Sequence, residues 1–344
     1  MRLSMQLSYS GGFKETAAHL RDLEAAGLDI VWVAEAYSFD AISQMGYLAA
    51  VTDTLQIASG IINVYGRTAT TIAMTMAGLD YVSDGRAICG LGASGPQVIE
   101  GFHGVPYDKP MTRIREYIEV CRMVWRREKL VFDGATVKVP LPEGQGTGLG
   151  KPLKLINHPV RDRIPVWWAS LMGNSVAATA EVADGWLPVM FIPERMRDVW
   201  GDDLDRGLAK RSPDLGPLEI CAGGPTAIGD DLPVEKLRDA ARPGQALYIG
   251  GMGARDKNFY NTIVTRAGFE AEAKEVQDLY LDGRKDEAAA KVPAEFLEKT
   301  SLIGPKSYVA ERIAAYKEAG VTVLSIHPMS DPVKTIEQLR ELVD

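Results

Sequence analysis

The chain has 344 residues, which is long enough for two ordinary domains or for one large α/β barrel. Its 38 basic and 46 acidic side chains give a formal net charge of −8, so no basic excess is present to attract nucleic acid or an anionic membrane. The three cysteines and four histidines show neither a disulfide framework nor a metal-ligand spacing, and no apolar run reaches the roughly 18 residues of a membrane span. We therefore expect a cytoplasmic protein without a metal centre and without a nucleic-acid or membrane partner.

Strand and helix patterns alternate along the chain. Apolar runs predict eight strands, at residues 3–9, 30–34, 55–62, 87–91, 165–169, 185–189, 218–222 and 321–326. Helical spacing of apolar residues predicts helices at residues 13–26, 42–51, 70–82, 113–126, 175–182, 194–211, 308–318 and 332–343. This order predicts the α/β class and a single (β/α)8 TIM barrel over residues 1–344, with insertions at about 128–164 and 232–300. A doubly wound sheet is the alternative.

A glycine-rich loop follows the fourth predicted strand. Gly92, Ala93, Ser94 and Gly95 come directly after it, and a helical pattern opens behind them. Backbone N–H groups at such a strand end, beside a helix N-terminus, are a typical site for a cofactor phosphate. No Gly-Lys-Ser/Thr follows, and the acidic residue that a dinucleotide fold places about 20 positions on is missing. The loop thus indicates a phosphate site of another kind, or an ordinary tight connection.

Glu35 and Tyr37 follow the second predicted strand, whose residues are all apolar. A carboxylate at the end of a buried strand is costly unless it is paired or faces a polar cavity. Glu35 is therefore predicted either to contact a cofactor or substrate, or to form a structural ion pair with Arg67 or Arg86. Tyr37 could donate a hydrogen bond into the same site, although an ordinary loop tyrosine is the commoner case.

Other predicted strand ends also carry residues of interest. Gly60 opens the segment 60–67, which includes Asn63, and a glycine at a strand end permits a bulge or a close backbone approach. His103 follows the glycine-rich loop closely, and His327 ends the last predicted strand. Each histidine is a candidate acid or base, with a capping or core histidine as the alternative.

The first insertion has local positive charge in an otherwise acidic chain. Its basic residues include Lys151, Lys154, Arg161 and Arg163. Such a cluster is typical of a solvated loop, and it would also suit a polyanionic tail of a ligand.

Five segments carry a resemblance to a known family. They are LEAAGLDIVWVAE at 23–35, LDYVSDGRAICGL at 79–91, GASGPQVIEGFHG at 92–104, RIREY at 113–117 and AEVADGW at 180–186. Together they resemble the luciferase-like monooxygenase superfamily, and specifically its branch of F420-dependent (deazaflavin) oxidoreductases. The similarity runs to about residue 190, and the stretch from Ser94 to Gly104 is the most specific part.

The resemblance implies a barrel with the deazaflavin across its C-terminal face and a non-proline cis peptide bulge, here Gly60-Ile61, behind the ring. It places the cofactor phosphate at the loop 92–95 and at the loop after the fifth predicted strand. The implied cofactor-binding residues are Glu35, Gly60, Ile61, Asn63, Gly92, Ala93, Ser94, Gly95, Ser170, Gly173, Asn174 and Ser175. Two departures occur: Glu35-Ala36 stands where many deazaflavin relatives have Asp-His, and Met172-Gly173-Asn174 where they commonly have Gly-Pro-Lys or Gly-Pro-Asn.

The function that the resemblance implies is hydride transfer between coenzyme F420 and a small organic substrate. The catalytic candidates, which would polarise or protonate the substrate, are Glu35, Tyr37, His103 and His327. An FMN-dependent luciferase-like monooxygenase and a non-catalytic deazaflavin-binding protein are the alternatives. A homodimer is expected, because this superfamily often forms dimers.

Overall fold

In the computed structural model, which describes residues 1–8 and 12–343, strands and helices alternate as predicted. The strands are β1 (Arg2–Leu7), β2 (Ile30–Val33), β3 (Gln56–Ser59), β4 (Ile62–Asn63), β5 (Ala87–Gly92), β6 (Phe132–Asp133), β7 (Lys138–Val139), β8 (Val166–Ala169), β9 (Gly185–Leu187), β10 (Glu219–Ile228), β11 (Leu302–Gly304) and β12 (Val323–Pro328). The helices are α1 (Phe13–Ala25), α2 (Ala41–Val51), α3 (Ala69–Val82), α4 (Pro96–Gly101), α5 (Pro110–Trp125), α6 (Asn174–Val182), α7 (Met196–Leu208), α8 (Val234–Asp239), α9 (Arg242–Ala246), α10 (Phe259–Arg266), α11 (Glu270–Leu281), α12 (Lys285–Lys291), α13 (Ala294–Lys299), α14 (Lys306–Glu318) and α15 (Pro332–Val343).

Eight of these strands close into a parallel barrel in the order β1, β2, β3, β5, β8, β9, β10 and β12. The first and last of them close the ring, with Arg2 beside Val323 and Met5 beside Ile326. The predicted (β/α)8 barrel is therefore confirmed, and the doubly wound alternative is wrong. In a barrel of this type the C-terminal ends of the strands form one open face, which is where ligands bind.

The barrel interior is a small apolar core separate from the helix-facing core. Its members point inward from successive strands: Ile30, Trp32, Ala58, Ile88, Trp167, Cys221 and Val323. The rings of Trp32 and Trp167 meet edge to face with centroids 5.4 Å apart and fill the middle of the barrel. Towards the N-terminal face, Arg2 donates to Gln56 at 2.8 Å and pairs with Glu219. The barrel is thus closed below the two tryptophans.

Several predicted strands differ in length from the observed ones. Residues 55–62, predicted as one strand, divide into β3 and β4, and β4 pairs with β5 instead of continuing beside β2. The seventh predicted strand ends at residue 222, whereas β10 continues to Ile228, where β11 pairs with it. The first strand ends at Leu7, and Tyr9, its predicted last residue, lies outside the described residues.

The two insertions leave the barrel at opposite faces. The first follows α5 and returns to the start of β8, at the N-terminal face, and contains the predicted hairpin as β6 and β7. The second follows the C-terminal end of β10 and contains the helices α8 to α13, which agrees with its predicted helical character. Only the second insertion begins at the face where the candidate site lies.

None of the helices in the described ranges is long and apolar enough to cross a membrane. Within residues 1–8 and 12–343, no three His, Cys, Asp or Glu side chains come together as metal ligands would. All three cysteines are buried free thiols.

Candidate active site

The C-terminal mouth of the barrel is open and lined mainly by small residues. Side chains alternate along a strand, so residues an even number of positions after an inner-core residue also face the barrel interior. This rule identifies the inward-facing residues at or just past the strand ends. They are Gln6, Ala34, Gly60, Gly92, Ala169, Leu187, Pro225 and His327. Gln6 and His327 are exposed although they point towards the barrel axis. The space above Trp32 and Trp167 is therefore accessible to a ligand.

A cis peptide bond lies between Gly60 and Ile61, as the resemblance implied. Both residues are half-buried, whereas Ser59 and Ile62 on either side are buried, so the bulge faces the mouth. The Ser59 hydroxyl fixes it to β5, accepting from the Gly90 N–H at 2.8 Å and donating to the Gly90 carbonyl at 2.9 Å. This bulge also explains the division of the third predicted strand, because pairing with β2 ends at Ser59 and pairing with β5 is interrupted until Ile62.

The glycine-rich loop has free backbone donors. Gly92 is the last residue of β5, Ser94 has a left-handed φ of 56°, and Gly95 precedes α4. No acceptor among the residues that the structure describes is found for the N–H groups of Ala93, Ser94 and Gly95. Unpaired N–H groups at a strand end form a concave anion site. The loop geometry thus fits a phosphate, although a phosphate contact remains a prediction.

Glu35 forms the ion pair that was one of the two predictions for it. Its carboxylate accepts both arms of the Arg67 guanidinium at 2.6 and 2.8 Å and the Ala41 N–H at 3.0 Å, and its side chain is only 7% exposed. The hydrogen bonds that Arg67 donates to Glu35 raise the pKa of the guanidinium. Arg86, the other predicted partner, instead donates to backbone carbonyls such as those of Ala49 and Leu55.

Tyr37 and His103 lie together on one side of the mouth. The Tyr37 ring is 69% exposed and lies 6.2 Å from that of Phe102, which contacts the His103 ring edge to face at 5.3 Å. The Nε2 atom of His103 is buried and has no partner in the described part of the chain. Asn63, beside them, shapes a turn, because its Oδ1 accepts from the N–H groups of Tyr65 and Gly66 at 3.1 and 2.6 Å.

His327 lies on β12, four strands around the barrel from β5, the strand that precedes His103. It is open to the mouth, yet the surrounding protein lowers the pKa of its imidazole below 6.5 by desolvation. The four predicted catalytic residues therefore do not form one cluster. Tyr37 and His103 are close, Glu35 is held by Arg67, and His327 is on a separate strand, β12.

The second predicted phosphate loop uses its polar groups internally. Ser170 hydrogen-bonds Thr179 at 2.8 Å, and the Ser175 hydroxyl donates to Met172 at 2.7 Å. The Gly173 N–H donates to the Asp203 carboxylate at 2.8 Å, and Asn174 accepts from Arg206 at 3.2 Å. Asp203 thus places a negative charge at the start of α6, where a helix N-terminus would otherwise favour an anion. Phosphate binding at this loop remains a prediction.

The sequence predictions did not include Gln6, and they left open whether the basic residues of the first insertion are solvated or contact a ligand. The alternation of residues 3–9 places Ser4 and Gln6 on the polar side of β1, and this signal could have identified Gln6 as an inward residue. Arg161 pairs with Asp80 and Arg163 with Asp184, both near strand starts at the N-terminal face. A contact with the tail of a ligand in the mouth is therefore wrong for these two arginines.

A closed parallel barrel with a half-buried bulge, free backbone donors and imidazoles at its C-terminal mouth has the form of an α/β-barrel enzyme. The sequence profile of the luciferase-like monooxygenase family matches residues 1–323, and the chain belongs to that family of enzymes.

The chain is similar along almost its whole length to proteins named as oxidoreductases or reductases. It is 38% identical over 353 residues to a Mycobacterium tuberculosis protein named as a candidate coenzyme F420-dependent oxidoreductase, covering 99% of this chain and 98% of that one. It is 25% identical to the 5,10-methylenetetrahydromethanopterin reductase of Archaeoglobus fulgidus, covering 95% and 93%. The F420-dependent tetrahydromethanopterin reductase structure from Methanopyrus kandleri shares the fold, with a TM-score of 0.80, 21% identity and coverage of 99% and 98%. The predicted family and fold are confirmed.

Proposed function

We propose that this protein is an F420-dependent oxidoreductase that transfers hydride between the deazaflavin and a small organic substrate. The observation that carries the proposal is the half-buried Gly60-Ile61 bulge beside the free N–H groups of residues 93–95. A flat ring needs a backing surface, and a phosphate needs donors at one end of it. The 38% identity to a named F420-dependent relative supports this cofactor over FMN.

The chain's own residues have distinct roles in this proposal. Gly60 and Ile61 would back the ring, with Asn63 holding the turn behind them, and the loop 92–95 would hold the phosphate. When bound, F420 supplies a two-electron hydride carrier. Glu35 acts as a positioning residue, because its two oxygens are occupied by Arg67 and Ala41. Proton exchange with the substrate then falls to Tyr37, His103 or His327, whose side chains are not held in such a pair.

A paired titration tests the cofactor. We expect F420 to bind with quenching of its fluorescence and FMN to bind far more weakly under the same conditions. Tight FMN binding without F420 binding would contradict the proposal and favour a flavin monooxygenase. Turnover of reduced F420 with a panel of ketones, imines and enones then separates an enzyme from a deazaflavin carrier, because a carrier binds the cofactor without oxidising it.

We further propose that the chain is a cytoplasmic homodimer that takes a small-molecule substrate. The family membership supports the dimer, and light scattering of the purified protein tests it. A monomer at micromolar concentration would contradict it.

A further inference from the structure

Two polar residues at the C-terminal mouth, Gln6 and His327, form a pair on neighbouring strands. Met5 lies beside Ile326 in the ladder between β1 and β12, so the next residues, Gln6 and His327, lie side by side. Both residues point into the barrel. Gln6 is in register with Trp32, which belongs to the inner core. His327 lies four residues after Val323, another member of that core, and therefore on the same side of β12. Neighbouring strands are about 4.8 Å apart, so the two side chains are within reach of one ligand atom.

Neither side chain is used by the fold. Gln6 and His327 are exposed, and in the described part of the chain no hydrogen bond or ion pair joins either side chain to another residue. An inward-facing amide at a strand end, open to solvent and without a structural partner, contributes little to stability. Its amide can donate and accept, and a neutral imidazole can do the same. Together they offer complementary hydrogen bonds to one oxygen atom.

Among the residues that the structure describes, the strand ends offer no charge to a substrate at this level. The other inward-facing residues at the strand ends are Ala34, Gly60, Gly92, Ala169, Leu187 and Pro225, none of which is ionisable. Desolvation by the surrounding barrel wall lowers the pKa of His327, and no charged side chain contributes to the shift. The nearby Glu35 is neutralised by Arg67. A carboxylate or phosphate on the substrate would find no counter-charge beside this pair, whereas a hydroxyl or carbonyl oxygen would find donors.

We propose that Gln6 is a substrate-binding residue that, with His327, holds the hydroxyl or carbonyl oxygen of an uncharged alcohol or ketone. The inference rests on the proposed function, because it names the substrate class of that same site. Trp32 and Trp167 close the barrel below the pair, so the oxygen-bearing group enters from the mouth and stops above the two rings.

The kinetic test uses the F420-loaded protein with cyclohexanol as the uncharged probe and lactate as the charged one. We expect oxidation of cyclohexanol with a kcat/KM at least about tenfold above that of lactate. In Gln6→Leu we expect KM for cyclohexanol to rise about tenfold while the affinity for F420 is unchanged, because one hydrogen bond to the substrate is lost. Gln145→Leu, at an exposed glutamine of the first insertion, should behave as wild type.

A second measurement is independent of turnover. Gln6→Glu places a carboxylate beside His327, so the NMR titration midpoint of His327 should rise, whereas Gln145→Glu should leave it unchanged. The inference would be overturned if the protein oxidised lactate as well as cyclohexanol, or if it bound F420 and did not oxidise cyclohexanol. Wild-type kinetics in Gln6→Leu, or an unchanged titration midpoint of His327 in Gln6→Glu, would overturn it as well. If Gln6→Leu fails to fold, Gln6→Asn replaces it in the same assay. Absence of F420 binding by the wild type would instead contradict the proposed function, and the His327 titration would still show whether Gln6 lies against it.

Discussion

Glu35 shows how a single carboxylate at a strand end can have a structural purpose. Its side chain is nearly buried and holds Arg67 through two hydrogen bonds, joining the loop after β2 to the turn after β4. Removing one charge of a buried pair leaves the other without compensation. We expect Glu35→Gln to lower the free energy of unfolding by about 2 kcal/mol and to weaken F420 binding only as far as the loop loosens. Urea unfolding and a fluorescence titration of the same sample measure both.

The matched control is an exposed pair. Glu287 pairs with Arg284 on the surface, and Glu287→Gln should leave unfolding close to that of the wild type. A wild-type unfolding free energy for Glu35→Gln together with complete loss of turnover would contradict the positioning role and make Glu35 a catalytic residue.

His327 makes stability depend on pH in a defined direction. Desolvation lowers its pKa in the folded protein below 6.5, so the unfolded chain binds a proton first as the pH falls. Stability is therefore complete above pH 6.5 and decreases as the pH falls from there towards the folded pKa. We expect His327→Asn to flatten this part of the curve of unfolding free energy against pH. An identical curve for wild type and variant over this interval would contradict the shift.

The residue types of the site were visible in the sequence, but their grouping was not. The apolar run 30–34 and the carboxylate after it predicted that Glu35 needs a partner or a polar cavity, and the structure supplies Arg67. Tyr37 and His103 come together through Phe102, whereas His327 lies on β12, four strands from β5. Such distances across a barrel depend on strand order and register, which local patterns do not contain.

At the scale of elements, the break between β3 and β4 depends on a neighbouring glycine. Residues 55–62 are mostly apolar and predict one strand, because nothing local marks the turn of the chain towards β5. A Cβ atom on Gly92 would lie 2.8 Å from Cγ1 of Ile61, so the bare backbone of β5 leaves room for the bulge. We expect Gly92→Ala to cost about 1 kcal/mol of stability through overpacking and to weaken F420 binding about tenfold by displacing Ile61.

Two further variants separate this clash from a general effect of alanine. In Gly92→Ala combined with Ile61→Ala, the contact is removed and part of the stability loss should be recovered. Gly78→Ala, in α3 with no atom within 4 Å of the added Cβ, should stabilise the helix slightly. Equal F420 affinity in Gly92→Ala and wild type would show that the bulge does not support the cofactor.

The first insertion is attached to the barrel by a buried charge. Asp80 at the end of α3 is completely buried, accepts from the Ala87 N–H at 3.2 Å, and pairs with Arg161, whose Nε donates at 3.1 Å. We expect Arg161→Met to destabilise the protein by about 3 kcal/mol, because it leaves a buried carboxylate without its cation. Thermal or urea unfolding measures the loss.

This change should leave the mouth unaffected. F420 affinity in Arg161→Met should equal that of wild type, since the pair lies at the N-terminal face. Lys154→Met, at an exposed lysine of the same insertion, should alter neither property. A large loss of F420 affinity in Arg161→Met would restore the idea that this basic segment meets the ligand.

The barrel itself was predictable because the same strand and helix patterns repeat along the chain. Eight apolar strand patterns, most of them followed by a helical pattern, are compatible with few folds, and the right-handed connection of parallel strands reduces them further. The extension of β10 to Ile228 was not predictable, because it depends on pairing with β11, which follows a helical insertion of about seventy residues. Long-range pairing of this kind is decided by tertiary packing.

For the molecule as a whole, substitutions at the two faces of the barrel should change the free energy of unfolding independently. Arg161 contacts the carbonyl of Ala87, the first residue of β5, whereas Gly92 is the last residue of that strand. Five residue steps along the strand place Ala87 and Gly92 roughly 16 Å apart. Substitutions that are this far apart and share no partner usually add in free energy within about 0.5 kcal/mol. We therefore expect the double variant Arg161→Met, Gly92→Ala to lose the sum of the two single losses in unfolding free energy, with the F420 affinity of Gly92→Ala alone. A coupling energy well above about 0.5 kcal/mol, measured by urea unfolding of all four proteins, would mean that β5 transmits strain between the structural face and the ligand face.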